Sequence, residues 1–157
     1  MAIVFAVILI WLAIHIFVYS SKQVNPLEAI FVFMLISIVN NIFCSIITDN
    51  LGWAKAMETP TAKTVITLQR IIIIPLLFLI IVNGHNRLKK LTSELLLLLF
   101  SFVLIVAIEE LCSYFHIMNY MENRWLIPVL HSCLLYLTGV LALHLYRPIL
   151  KKGIMMR

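Results

Sequence analysis

The sequence predicts an all-α fold, a polytopic membrane helix bundle of about five transmembrane helices, and three observations carry that expectation. Of 157 residues, 63% are hydrophobic and 12% charged, about half the charge of an ordinary soluble domain. Mean hydropathy is +1.07. The chain also holds five apolar stretches, each near the roughly 20 residues that a hydrocarbon core requires. A single integral membrane domain, 1–157, is expected, with short connections and no internal repeat.

The first span covers residues 2–19. It lacks the basic start of a signal peptide and is followed by further spans, so it is expected to be retained. If it lay in the interface instead, four spans would remain. The second span, 27–47, ends in a polar turn with Asn40, Asn41 and Ser45. The connection 48–63 is the longest; Asp49 or Asn50 can cap a short surface helix over 54–58, with Leu51, Trp53 and Met57 on its apolar side and Thr59-Pro60 ending it.

The third span, 64–82, carries Arg70 and Pro75; the fourth, 94–115, opens on Leu95 to Leu99 and carries Glu109 and Glu110. The fifth, 126–146, carries His131 and His144. Trp11, Tyr19, Tyr114, Tyr120 and Trp125 fit interfacial belts.

Orientation follows from the basic residues. Arg87, Lys89 and Lys90 lie in one connection, and Arg147, Lys151, Lys152 and Arg157 follow the last span. Both groups are expected in the cytoplasm, which puts Lys22 inside, the connections around Lys55 and Glu122 outside, and the amino terminus outside. The net charge of +5 is thereby accounted for, and a nucleic-acid partner is not expected. Cys44, Cys112 and Cys133 all sit in apolar segments, as packing residues rather than a disulfide framework.

The informative residues are polar ones at membrane depth, where an acidic side chain costs about 2.5 to 3.5 kcal/mol on insertion scales. With the orientation above, Asn41, Arg70, Glu109 and His131 each fall about 8 to 10 Å from the outer end of their helices. The candidate buried cluster is therefore Asn40, Asn41, Arg70, Glu109, Glu110 and His131. Asn41 shares a helical face with Ser37, Cys44, Ser45 and Thr48, and Glu109 with Cys112, Ser113 and His116. Adjacent Glu109 and Glu110 project about 100° apart, so one is expected to meet Arg70 and the other His131 or the asparagines. Arg70 has a plainer alternative: it can snorkel to the headgroups past Thr67 and Lys63. Pro75 frees the carbonyl of Ile71 for a donor on a neighbouring helix, or simply kinks its own.

No cofactor is expected. His131 and His144, thirteen residues apart, point well over 90° apart and do not make a stacked haem pair. Zinc held by a Glu with His131, His116, Cys44 and Cys112 would suit an intramembrane metallohydrolase, but no ligand pair has diagnostic spacing. Glu109-Glu110 is similar to the EExxxR start of CAAX-type intramembrane proteases, except that Tyr114 stands where that pattern has Arg.

From Asn40 to Arg147 the plan resembles a family of small, uncharacterised multi-span membrane proteins of spore-forming Firmicutes. The likeness lies in the polar end of the second span, the loop with Pro60, the Pro75 helix, Ile108-Glu109, and Trp125 and His131 leading into the last span. Arg70 and Glu110 fall outside that pattern. The resemblance implies a four- or five-span protein of the bacterial cytoplasmic membrane, gives weight to Glu109 and His131, and carries no activity. Three function classes follow. The first is a non-enzymatic membrane component whose partners are the lipid bilayer, another membrane protein or a second copy of itself. The second is a small proton- or ion-coupled transporter or sensor, and the third, with least support, is the hydrolase.

Overall fold

The computed structural model describes all residues except 21–23, 86–90, 121–125 and 156–157, and no side chain at 91 or 149–155. Lys22, Arg87, Lys89, Lys90, Glu122, Trp125 and Arg157 therefore lie outside the described residues, as do the side chains of Lys151 and Lys152. Five helices are long and apolar enough to cross a membrane. They are α1 (Ala2–Tyr19), α2 (Pro26–Asn50), α3 (Pro60–His85), α4 (Leu91–Tyr114) and α5 (Leu126–Met155).

Their ends are set by local chemistry. Pro26 takes the first helical position of α2, and the Glu28 carboxylate accepts the Asn25 backbone N–H at 3.0 Å, one arm of a capping box. Glu28 also pairs with Arg147 at 3.5 Å, which ties the start of α2 to the far part of α5. The last turn of α2, Ile46–Asn50, widens into π geometry and stops at Gly52, whose φ of +63° suits a residue without Cβ. At the end of α4, His116 adopts φ 51°, with its N–H bonded to Ser113 O at 3.0 Å and the Ile117 N–H to Cys112 O at 2.8 Å. That is a Schellman cap built on a non-glycine residue, and it turns His116 outward, off the Glu109 face.

The 48–63 connection differs from the expected surface helix. Residues Ala54–Ala56 form strand β1, which pairs antiparallel with strand β2, Met118–Tyr120, from the connection after α4. Ala54 faces Tyr120 and Ala56 faces Met118, and the Met57 N–H extends the ladder to Ile117 O at 3.0 Å. Thr59-Pro60 begins α3 rather than ending a helix. Thr59 Oγ1 accepts the Ala62 N–H at 3.3 Å, and proline fits the first turn, where its missing N–H costs nothing. The partner strand lies more than sixty residues away in sequence, so local spacing gave no sign of the pairing. We call this the ribbon end of the bundle.

The core is made by α2, α3 and α5, with α4 against α3 and α5 and with α1 on the periphery against α3. Val32, Ile36, Phe78, Val82 and Leu135 are fully buried. The close point is Gly139, where an added Cβ would stand 2.5 Å from Val82 and 3.3 Å from Ile36. On α1 Ala6 and Ala13 are buried, residues such as Phe5, Leu9 and Phe17 are half-buried, and the exposed remainder, from Ile3 to Tyr19, is apolar. Such an exposed apolar shell is what lipid tails solvate.

Candidate functional site

The site starts from a proline. In α3 the turn Gln69–Ile73 is π-helical, with the Ile74 N–H bonded to Gln69 O. Continuing that pattern, the N–H owed to Arg70 O would come from residue 75, and in α geometry the same residue would serve Ile71 O. Pro75 has no N–H, so both carbonyls need other donors. Helix α2 supplies them: Asn40 Nδ2 donates to Arg70 O at 2.7 Å and Ser37 Oγ to Ile71 O at 3.3 Å. The carbonyl of Ile71 accepts from a neighbouring helix, as one reading of Pro75 has it, and the carbonyl of Arg70 does so as well.

This bond fixes the rest of Asn40. A carbonyl only accepts, so the amide nitrogen must face Arg70 O and the amide oxygen must face His131, 2.6 Å from Nε2. His131 Nε2 therefore carries a hydrogen. The imidazole stacks on Phe43 at a centroid distance of 4.5 Å and is buried at 4% exposure. Among the described residues, its Nδ1 has no hydrogen-bonding partner. Asn40, itself fully buried, thus joins α2, α3 and α5.

Arg70 is half-buried, and its Nη2 donates to Thr48 Oγ1 at 3.3 Å on the last turn of α2. Glu109 is buried on α4 and, with Arg70, His131, Cys44, Thr48 and Gln69, lines a partly enclosed cavity of about 30 Å³. A water molecule needs about 10 to 15 Å³ of such space, so the cavity is of water size. Beyond Arg70, toward the surface, opens a second and larger space of about 590 Å³ lined by Asp49, Lys55, Glu58, Lys63 and Thr67. Thr48, Ala54 and Arg70 line both spaces and form the wall between them.

Four of the six candidates, Asn40, Arg70, Glu109 and His131, thus come together. Asn41 and Glu110 do not; each lies one residue, about 100°, further round its helix, and both are exposed. The Arg70 guanidinium donates to Thr48 Oγ1. Gln69, absent from the candidate set, is buried at the cavity wall and accepts from Cys112 Sγ at 3.0 Å. A polar residue beside Arg70 within an apolar span was its available signal. The zinc set is not assembled: among the described residues no three His, Cys, Asp or Glu side chains are placed to hold a metal.

Comparison with family models, with curated proteins and with solved structures finds no match to this chain.

Proposed function

We propose that this chain is a small, non-enzymatic, multi-pass membrane protein that responds to protons through the Glu109, Arg70 and His131 site. The observation that carries the reading is the cavity itself: a carboxylate, a guanidinium and an imidazole, from three helices, share one water-sized space. Buried groups of that kind, placed in an apolar bundle, are what proton coupling requires. The Lys and Arg distribution supports a ribbon end outside and a carboxyl terminus in the cytoplasm, and a bacterial cytoplasmic membrane is the setting that the resemblance to the Firmicutes family implies.

The experiment uses the purified full chain in liposomes. Hydrogen exchange at the backbone of β1 and β2 is followed between pH 5 and pH 8, about the range that brackets an ordinary imidazole, with proton flux followed by an entrapped dye. A pH-dependent response that Glu109→Gln flattens, and that Glu110→Gln on the exposed face leaves intact, supports the reading. A response absent from the native chain, or unchanged by Glu109→Gln in a folded protein, returns the cluster to architecture.

A further inference from the structure

The larger space at the ribbon end has a composition that the proton site does not use. Its volume of about 590 Å³ is that of an ordinary small-molecule cleft, which runs from about 300 to 1,000 Å³. One wall is the α3 face of Lys63, Ile66, Thr67 and Arg70, residues three, four and seven apart on one helical stripe. The other is β1 with Lys55, together with Asp49 and Glu58. Three cations and two carboxylates therefore face one concavity. Among the described residues, none of these five forms an ion pair with another.

The geometry points to a binding site for a phosphate ester that carries an ammonium group. Lys63 and Arg70 stand two helical turns, about 10 Å, apart, which leaves room for a tetrahedral oxyanion between them at the level of Thr67. Of the five guanidinium donors of Arg70, the structure commits one, to Thr48. The planar fork that remains suits phosphate oxygens, and Lys63 and Lys55 add point charges from other directions. A carboxylate would use the fork alone. Asp49 and Glu58 would repel a bare dianion, and they suit an ammonium on the same molecule. Lys63 lies about 5 Å and Arg70 about 15 Å along α3 from Pro60, so the space runs from the end of the span, near the level of the headgroups, down into it.

The same chemistry is offered by a zwitterionic phospholipid headgroup and by a soluble phosphoamine, and the test separates them. In one arm, full-length protein in a phosphate-free detergent is titrated with O-phosphoethanolamine and with inorganic phosphate, followed by calorimetry. In the other, the protein sits in nanodiscs of phosphatidylethanolamine or of a phosphate-free glycolipid, with ³¹P NMR reporting immobilised headgroup. Binding of O-phosphoethanolamine at least about tenfold tighter than phosphate assigns a soluble ligand, and immobilised ³¹P signal without such binding assigns the lipid. In either case Lys63→Gln, a surface change that leaves the fold intact, is expected to weaken binding or release the signal, and Arg70→Gln to do so more strongly. Absence of both signals in the native chain, or signals that both variants leave unchanged, overturns the proposal. None of these readouts depends on a proton response, so failure here and failure of the proton reading are separate results.

Discussion

Asn40 is the residue whose replacement tests the site most directly. Asn40→Leu keeps the branching of the side chain at Cγ and removes both bonds, to Arg70 O at 2.7 Å and to His131 Nε2 at 2.6 Å. Two buried groups lose their partners, and with the Ile74 N–H held by Gln69 O and no N–H on Pro75 the Arg70 carbonyl has no donor from this π turn. In a soluble core each orphaned group would cost about 1 to 3 kcal/mol. In a membrane the unfolded reference also finds partners, and interhelical bonds average about 0.6 kcal/mol with a maximum near about 1.7. The expected loss is therefore about 1 to 3 kcal/mol for the pair of bonds. It is measured by equilibrium unfolding in mixed micelles with rising SDS. A cycle with His131→Leu isolates the α2–α5 bond, with an expected coupling of about 0.6 to 1.7 kcal/mol. If Asn40→Leu unfolds within about 0.3 kcal/mol of the native chain, and the cycle shows no coupling beyond ordinary additivity, the three-helix junction is refuted.

Other outcomes follow from the same geometry. Gly139→Ala is expected to cost about 1 to 3 kcal/mol by overpacking, since its Cβ would meet Val82 at 2.5 Å; Val82→Ala should restore stability in the same unfolding assay, and a neutral Gly139→Ala would disprove the close approach. Met57→Pro deletes the N–H given to Ile117 O, worth about 1 kcal/mol net, so thiol labelling of Cys44 beneath the ribbon should speed about fivefold in a background lacking Cys112 and Cys133. Glu28→Gln retains a capping side chain but loses the pair with Arg147, and should cost no more than about 1 kcal/mol, less at high salt. Nitrogen-15 NMR of labelled histidine should show the neutral form of His131 protonated at Nε2; the Nδ1–H tautomer would contradict the arrangement of Asn40.

The five spans were legible because hydrophobic length is a local property, and the bounds of the first, 2–19, agree with α1 to the residue. Depth counting put Asn41, Arg70, Glu109 and His131 in one layer, since α-helical rise is fixed, and the residue that meets Arg70 O and His131 is its neighbour Asn40. What counting along an axis does not supply is rotation about it. Asn40 and Asn41, or Glu109 and Glu110, have nearly equal depth, and only the packing of α2 against α3 and α5 decides which faces inward. The π turn at Gln69–Ile73 shifts that rotation further, which is how Gln69 enters the wall. The ribbon escaped for a different reason: Lys55 and Asn119 are paired by tertiary closure, and a three-residue strand carries almost no periodicity of its own.

Direction of access is also set by these turns. Moving away from the ribbon end, the next turns present Ile36 after Asn40, Phe78 two turns beyond Arg70, Ser101 two turns beyond Glu109, and Leu135 after His131. All four are fully buried, and Ser101 spends its hydroxyl on Leu98 O at 2.7 Å. Below the polar layer lies a packed and mainly aliphatic one, while above it Arg70 separates the cavity from an open space. A proton arriving from the ribbon end thus meets Arg70, Glu109 and His131 and then a closed core. Passage to the other end would require that core to part, at the cost of its burial. A change of charge on Glu109 or His131 that alters Arg70, and through Thr48 the end of α2 and the ribbon beside it, needs no such opening. The packing therefore favours a protein that registers protons on one side of the membrane over one that conducts them across it.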